Sequence, residues 1–267
     1  MLSMSINLEL HITMKCNLRC GGCNRLCHIF HDRTEDMSVE QIKKFIDQAK
    51  NGGGVKTLKV LGGEPLLHPD FVEIYNLLGE AMINGYIKNI KIETNRTIKT
   101  PDGLKDYPIK WQGTKLVNKK HTPATWAPKD FGIEVPPQRI CGVIKKCGFS
   151  LDKYGYLPCG VSVMIARMFN LTHLYSREFP YGLWGVPELC NYCMIGISDQ
   201  FNDYFPYELS VNATDHKSYP PVEETGTNQC KYPTPDHPPS YADPTESWEK
   251  AINEFNQEEF YKTQEEF

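Results

Sequence analysis

The chain has 267 residues, room for one sizeable domain or for one domain with a small appendage. Its apolar fraction of 40% is that of an ordinary globular protein, and a net charge of −4 gives no basis for nucleic acid or an anionic membrane as the main partner. No run of about 18 apolar residues offers a membrane span. The N-terminus shows no charged region followed by an apolar stretch, and ten cysteines without a secretory signal point to metal or redox chemistry in a reducing, cytoplasmic setting.

Period-2 alternation over Ile6–Thr13 predicts a first strand. It runs into Cys16-Asn-Leu-Arg-Cys20-Gly-Gly-Cys23, three thiols on one tight loop, which suit a soft metal centre better than a disulfide. Zinc would want a fourth ligand, which Cys27 or His28 could supply. His11, His28 and His31 near this loop read as surface or packing histidines. Ser38-Val-Glu-Gln41 is a capping box, and Val39, Ile42, Phe45, Ile46 and Ala49 follow at helical spacing up to Gly52-Gly53-Gly54. A second strand over Val55–Leu61 ends in Gly62-Gly63-Glu64-Pro65, where bare backbone permits close approach of a ligand. Asp70 is placed to cap a second helix with Phe71, Ile74, Leu77, Leu78 and Ala81 inward and Gly85 at its end. A third strand over Tyr86–Thr94 delivers Thr94 and Asn95.

This series predicts an α/β fold with a parallel sheet and helices outside it. Ligands bind at the C-terminal strand ends of such sheets, and all three candidate stretches fall there. From Ile98 to Arg139, prolines at 101, 108, 123, 128, 136 and 137 leave no room for a long helix. Lys115–Asn118 is the candidate fourth strand of a shortened sheet. Asp152–Gly155 then reads as the turn of a β-hairpin that sets Cys147 and Cys159 opposite each other, with β-carbons ~4.5–7 Å apart. Cys190-Asn-Tyr-Cys193 adds a further pair. Two separated thiol pairs are also a zinc-ribbon pattern. Residues 219–245, rich in Pro, Thr, Asp and Ser, read as a linker. A final helix begins at Ser247-Trp-Glu-Lys, with Trp248, Ile252 and Phe255 on one face, placed to dock on the domain or on a partner chain.

The Cys16-x3-Cys20-x2-Cys23 loop, the Gly62-Gly63-Glu64-Pro65 turn and Glu93-Thr94-Asn95, in that order, resemble the motifs of radical S-adenosylmethionine (SAM) enzymes. The hairpin and the second thiol pair resemble the twitch or SPASM auxiliary-cluster domains of that family. The resemblance implies a shortened partial (β/α) barrel over residues 1–140, a small auxiliary domain containing the hairpin over 141–212, and a Pro-rich tail ending in a helix over 213–267. It implies a [4Fe-4S] cluster on Cys16, Cys20 and Cys23 with one iron open to SAM. Gly62, Gly63, Glu64, Pro65, Thr94 and Asn95 would contact SAM. A second [4Fe-4S] cluster would sit on Cys147, Cys159, Cys190 and Cys193, with Cys141 as the alternative to Cys147.

The activity so implied is reductive cleavage of SAM to a 5′-deoxyadenosyl radical, which abstracts hydrogen from a C–H bond of a small hydroxylated substrate such as a sugar or aminocyclitol. Dehydrogenation follows if the second cluster takes the electron. Epimerisation follows if a thiol such as Cys141 returns a hydrogen atom. An electron donor such as flavodoxin or ferredoxin is implied as partner. A peptide substrate is one alternative. The other, motivated by Gly22 where the family usually carries a bulky residue, is a non-catalytic zinc or iron–sulfur protein that binds a partner through its tail.

Overall fold

The structure is a computed structural model that describes residues 6–18, 23, 25–27, 35–113, 127–132, 142–179, 186–193, 246–255 and 260. Strand β1 is Asn7–Thr13. Helix α1, Val39–Asn51, starts at the expected capping box. The Ser38 hydroxyl accepts the Gln41 N–H at 3.2 Å, and the Gln41 side-chain oxygen accepts the Ser38 N–H at 2.8 Å. Two orphan donors of the first turn are thus satisfied reciprocally. Ile42, Phe45 and Ala49 bury against the sheet, and Gly53 and Gly54 turn the chain out of the helix at φ +87° and +85°.

Strand β2, Thr57–Gly62, lies parallel to β1. Helix α2, Phe71–Ile83, has Asp70 at its N-cap position, but the Asp70 side chain makes no cap. Its N–H instead donates to His68 Nδ1 at 3.0 Å, which leaves His68 Nε2 to donate to the Met37 carbonyl at 2.8 Å. Tyr75 is buried where Leu77 was the expected inward residue, and Leu77 is half-buried. Tyr75 goes inward because its ring stacks on Trp111, with centroids 6.0 Å apart.

Strands β3, Ile90–Thr94, and β4, Lys110–Gly113, extend the parallel sheet. β4 lies earlier than the expected Lys115–Asn118, which falls outside the described residues. Its one large apolar residue, Trp111, anchors it on Phe71 and Tyr75.

A short helix α3, Gly142–Cys147, leads into β5, Phe149–Asp152, and β6, Gly155–Leu157, the two arms of the hairpin. The Asp152 carboxylate accepts the Tyr154 N–H at 2.8 Å and fixes the turn. The ladder stops at Ser150–Leu157, short of both cysteines expected to face each other across it. Cys147 closes α3 instead, and Cys159 is the N-cap of the next helix. β5 pairs in parallel with the free edge of β1. The result is one six-stranded, mostly parallel sheet in the order β4-β3-β2-β1-β5-β6. Helix α4, Gly160–Met168, follows the hairpin. Later come α5, Pro187–Cys190, and α6, Glu246–Glu254.

One core joins Leu8, Leu10 and Ile12 of β1 to Val60, Ile92 and the inner faces of α1 and α2. A second gathers Met14, Leu26, α4, Leu189 and Trp248. Trp248 is fully buried, donates its indole N–H to the Tyr192 carbonyl at 2.8 Å and meets the Phe169 ring edge-on. Helix α6 therefore docks on its own domain. Ser247 lies inside α6 rather than at its cap and hydrogen-bonds the Asp130 carboxylate.

A buried clasp ties α4 to the rest. Arg167 reaches Glu35 at 2.6 Å and Asp152 at 2.7 Å, while Tyr175 donates to Asp152 at 2.8 Å. Among the described residues no helix is long and apolar enough to cross a membrane.

Candidate functional site

The C-terminal ends of β1, β2 and β3 meet, and two glycines make the meeting close. A Cβ on Gly62 would stand 2.0 Å from the Thr13 carbonyl oxygen, and one on Gly63 would stand 2.0 Å from that of Lys15. Gly62 also takes φ +150°, at the edge of the region that favours glycine. The space these glycines leave is filled by the backbone of the β1 end. Gly63 N–H donates to Thr13 at 2.8 Å and Glu64 N–H to Lys15 at 2.7 Å. Close approach, which the sequence suggests for a ligand, is here used by the chain that leaves β1 toward Cys16.

Glu64 is fully buried and holds β2 to β3. One carboxylate oxygen accepts from the Thr94 hydroxyl at 2.8 Å and the Leu66 N–H at 3.1 Å. The other accepts the Asn95 N–H at 2.7 Å. A carboxylate has about four lone-pair sites, so these three donors leave one for a further donor. Pro65 opens the 3₁₀ turn Pro65–Leu67 that the Glu64 side chain caps. Asn95 continues the network: its amide donates to the Asn17 side-chain oxygen at 2.9 Å and lies 4.0 Å from Cys16 Sγ. Thr94 thus touches Glu64 directly, and Asn95 links Glu64 to the thiol loop.

Cys16 and Cys23 stand close enough to interact electrostatically, both partly exposed. Burial pushes the Cys16 thiol up to about 11, whereas a hydrogen bond with Cys27 brings Cys23 down to about 6 against its own burial. Two soft sulfur donors on one loop fit an iron–sulfur cluster. Cys20, the third thiol of the loop, lies outside the described residues. So do Gly22, His28, His31, Cys141, Cys230 and residues 219–245. Among the described residues no group of three or more His, Cys, Asp or Glu is placed to hold a metal ion.

Sequence reasoning missed the inner face of the sheet. Glu9 is buried there between Lys59 Nζ at 3.1 Å and Arg25 at 3.3 Å. Burial raises the Cys147 thiol, with the nearby Glu9 carboxylate adding to the effect and the Lys59 ammonium opposing it. His11 Nε2 lies 4.0 Å from Glu9, neither ring nitrogen has a hydrogen-bond partner, and burial holds the imidazole well below its usual pKa. The signal was the polar row Glu9, His11, Thr13 alternating with buried Leu8, Leu10 and Ile12, together with Lys59 in β2.

The remaining expected thiols lie near α4 and α5. Cys159 and Cys193 pack against the same apolar cluster, and Cys193 N–H donates to the Cys190 carbonyl at 3.1 Å, closing one turn around the pair. Cys147, whose thiol feels the charges of Glu9 and Lys59, does not share that cluster.

Comparison with known proteins bears on this site. Residues 10–111 match the sequence profile of the Radical SAM superfamily. An S-adenosylmethionine-dependent nucleotide dehydratase of Selenomonas ruminantium is 40% identical over 73 residues, 27% of this chain and 25% of that protein. A probable GTP 3′,8-cyclase of Pyrococcus abyssi is 34% identical over 91 residues, 34% of this chain and 27% of that protein. The chain thus spans about a quarter of the length of these curated relatives. Among solved structures, Streptococcus suis SuiB bound to precursor peptide SuiA aligns at 26% identity and TM-score 0.30, over 38% of this chain and 21% of that one. BtrN in complex with AdoMet and 2-DOIA aligns at 13% identity and TM-score 0.41, over 82% of this chain and 92% of that one.

Proposed function

We propose that this chain, which carries a radical SAM superfamily segment over residues 10–111, is an enzyme that cleaves SAM reductively and abstracts a hydrogen atom from a small hydroxylated substrate. The observation that carries the reading is the convergence of the Cys16 loop, the Gly62–Pro65 turn and Asn95 at one end of the sheet, joined through Glu64. Cys16, Cys20 and Cys23 would hold the first [4Fe-4S] cluster. That cluster, when bound with SAM, supplies the electron that releases a 5′-deoxyadenosyl radical.

The chain's own residues bind and orient. Glu64 keeps one acceptor site for an ammonium such as that of SAM, and its other three hydrogen bonds fix that site in place. The Gly62–Gly63 contact with Thr13 and Lys15 holds the thiol loop at a set distance from Glu64. The buried floor of Glu9, Lys59 and Arg25 is charge-compensated and forms the closed side of the sheet's inner face.

Dehydrogenation and epimerisation both suit such a site. The nucleotide and GTP named for the two curated relatives carry hydroxylated sugars, which supports a sugar-bearing substrate. A second cluster would take Cys159, Cys190 and Cys193. Of the two candidates for its fourth ligand, the absence of Cys147 from the apolar cluster that Cys159 and Cys193 pack against favours Cys141. The electron would come from a flavodoxin- or ferredoxin-type donor.

Anaerobic reconstitution tests the proposal, with iron content and 5′-deoxyadenosine measured on one sample. About four irons per cluster and 5′-deoxyadenosine under strong reductant are expected. Zinc alone, with no iron and no SAM cleavage, would instead identify a binding protein on an enzyme-like fold.

A further inference from the structure

We propose that Lys91 and Lys110 seat a phosphate group of the substrate on the inner face of the sheet. The inference rests on the proposed function, because the phosphate would belong to the same small hydroxylated molecule.

Strand pairing sets a row of charges across the sheet. Glu9 of β1 is in register with Lys59 of β2, Lys59 with Lys91 of β3, and Lys91 with Lys110 of β4. Their neighbours in sequence, Leu8 and Leu10, Leu58 and Val60, and Ile90 and Ile92, belong to the core beneath α1 and α2. On β4 it is Trp111 that packs on Phe71 and Tyr75 of α2. Side chains alternate along a strand, so all four charged residues share the opposite, inner face. Neighbouring strands lie ~4.8 Å apart, and three lysines therefore stand side by side.

Like charges directly opposite each other across strands work against folding. Glu9 answers Lys59, at 3.1 Å, and Arg25, at 3.3 Å. Glu93, two residues beyond Lys91, adds a second carboxylate to the face. Among the described residues, Lys91 and Lys110 make no ion pair with either. Lys110 lies on the outermost described strand, where a lysine can guard a sheet edge. Lys91 has no edge to guard, because β3 is paired on both sides. Parallel sheets are ordinarily covered on both faces by apolar layers. Here Lys91 is half-buried and Lys110 exposed, so the charged face is accessible.

Two adjacent point charges suit a compact dianion with several acceptor oxygens, such as a phosphate monoester. A planar carboxylate is better met by the fork of an arginine. The row crosses the face three residues before Gly62, ~10 Å down the strand from the turn proposed to meet SAM. A substrate with its sugar at the strand ends and its phosphate on the row spans that depth.

The test titrates ribose 5-phosphate, pyrophosphate and ribose into the full chain by calorimetry, with and without reconstituted iron. The variants are Lys91→Gln, Lys110→Gln and, as a control, Lys43→Gln on the outer face of α1. Saturable binding of ribose 5-phosphate is expected, with ribose weaker by roughly tenfold or more. Each inner-face variant should weaken the phosphate compounds by roughly tenfold and leave Lys43→Gln as the one variant that binds like wild type. Without ligand, the Tm of Lys91→Gln should not fall, since a repelling charge has left the row. A wild-type chain that binds neither phosphate compound saturably overturns the inference. So do unchanged affinities in both inner-face variants, and ribose bound as tightly as its phosphate. An equal loss in Lys43→Gln also overturns it, because only net charge would then be at work. Iron uptake and SAM cleavage without phosphate binding sink this inference alone. Absence of SAM cleavage sinks the proposed function, and binding to the metal-free chain then decides the phosphate seat by itself.

Discussion

The backbone N–H of Asn95 donates to the Glu64 carboxylate at 2.7 Å, so the end of β3 hangs from a buried side chain at the end of β2. The same carboxylate holds the Thr94 hydroxyl at 2.8 Å. Glu64 is therefore structural, and in the proposed function its remaining acceptor site also serves SAM. Glu64→Ala should strand both donors, at about 1–3 kcal/mol each, and abolish SAM binding. Glu64→Gln, which replaces one acceptor oxygen with a donor, should lose less stability. Chemical denaturation and SAM titration of the two variants check this, and equal stability in both would refute it.

Gly63→Ala should be harmful before any ligand is present, because its Cβ would meet the Lys15 carbonyl at 2.0 Å and neither backbone can yield cheaply. Overpacking of this kind costs about 1–3 kcal/mol. The expected outcome is a lower Tm in the metal-free protein as well as reduced iron uptake. An unaltered metal-free Tm would show that the two strand ends can separate freely.

The Arg167–Glu35–Asp152 clasp is buried, and removing one partner leaves an uncompensated charge. Arg167→Met should cost about 3–5 kcal/mol. Triple replacement of Arg167, Glu35 and Asp152 by apolar residues should recover much of that loss. Urea midpoints of the two proteins decide it.

His11 governs an acid limb of stability. Burial lowers its folded-state pKa, with the charges of Arg25 and Arg167 adding to the effect, so below about pH 6.5 the unfolded chain binds more protons than the folded one. The contribution of neutral His11 is fully present above about pH 6.5 and is lost as pH falls below it, with a slope of up to about 1.4 kcal/mol per pH unit. His68, also lowered by burial, acts in the same direction. His11→Leu should flatten the stability profile between about pH 5 and 6.5 and leave a smaller slope from His68. Urea unfolding at several pH values reads the change, and an unchanged slope would mean that His11 is solvated when the chain is folded.

Trp248→Ala should release α6. Truncating a buried tryptophan costs about 3–5 kcal/mol, while the rest of the helix buries little. Limited proteolysis should then cleave near residue 250 without loss of the core fragment. Resistance equal to wild type would show that Ile252 and Phe255 suffice.

Much of this architecture was legible in local chemistry. Ser38 with Gln41 marked the start of α1, alternation marked β1, and the Asp152–Gly155 turn marked the hairpin, because each signal lies within a few residues. What escaped was long-range or too short to carry a period. β4 has one apolar residue, Trp111, and its partners Phe71 and Tyr75 lie about 40 residues earlier. Asp70 looked like a cap, but the His68 ring took its N–H. At the site, the candidate thiols and the Gly62–Pro65 turn were visible as motifs. The compensation of Glu9 by Lys59 and Arg25 was not, since its three members come from two strands and a loop.

β1 is paired on both sides, by β2 from close in sequence and by β5 from some 140 residues away. During synthesis β1 to β4 can assemble first, and until β5 is made the strand that leads into the thiol loop has one bare edge. An uncapped edge next to a cysteine-rich loop is both a template for intermolecular pairing and a site open to premature metal or oxidant. Closure by β5 is a slow, non-local event. Yield of the correctly folded protein should therefore depend on how fast the second half of the chain follows the first.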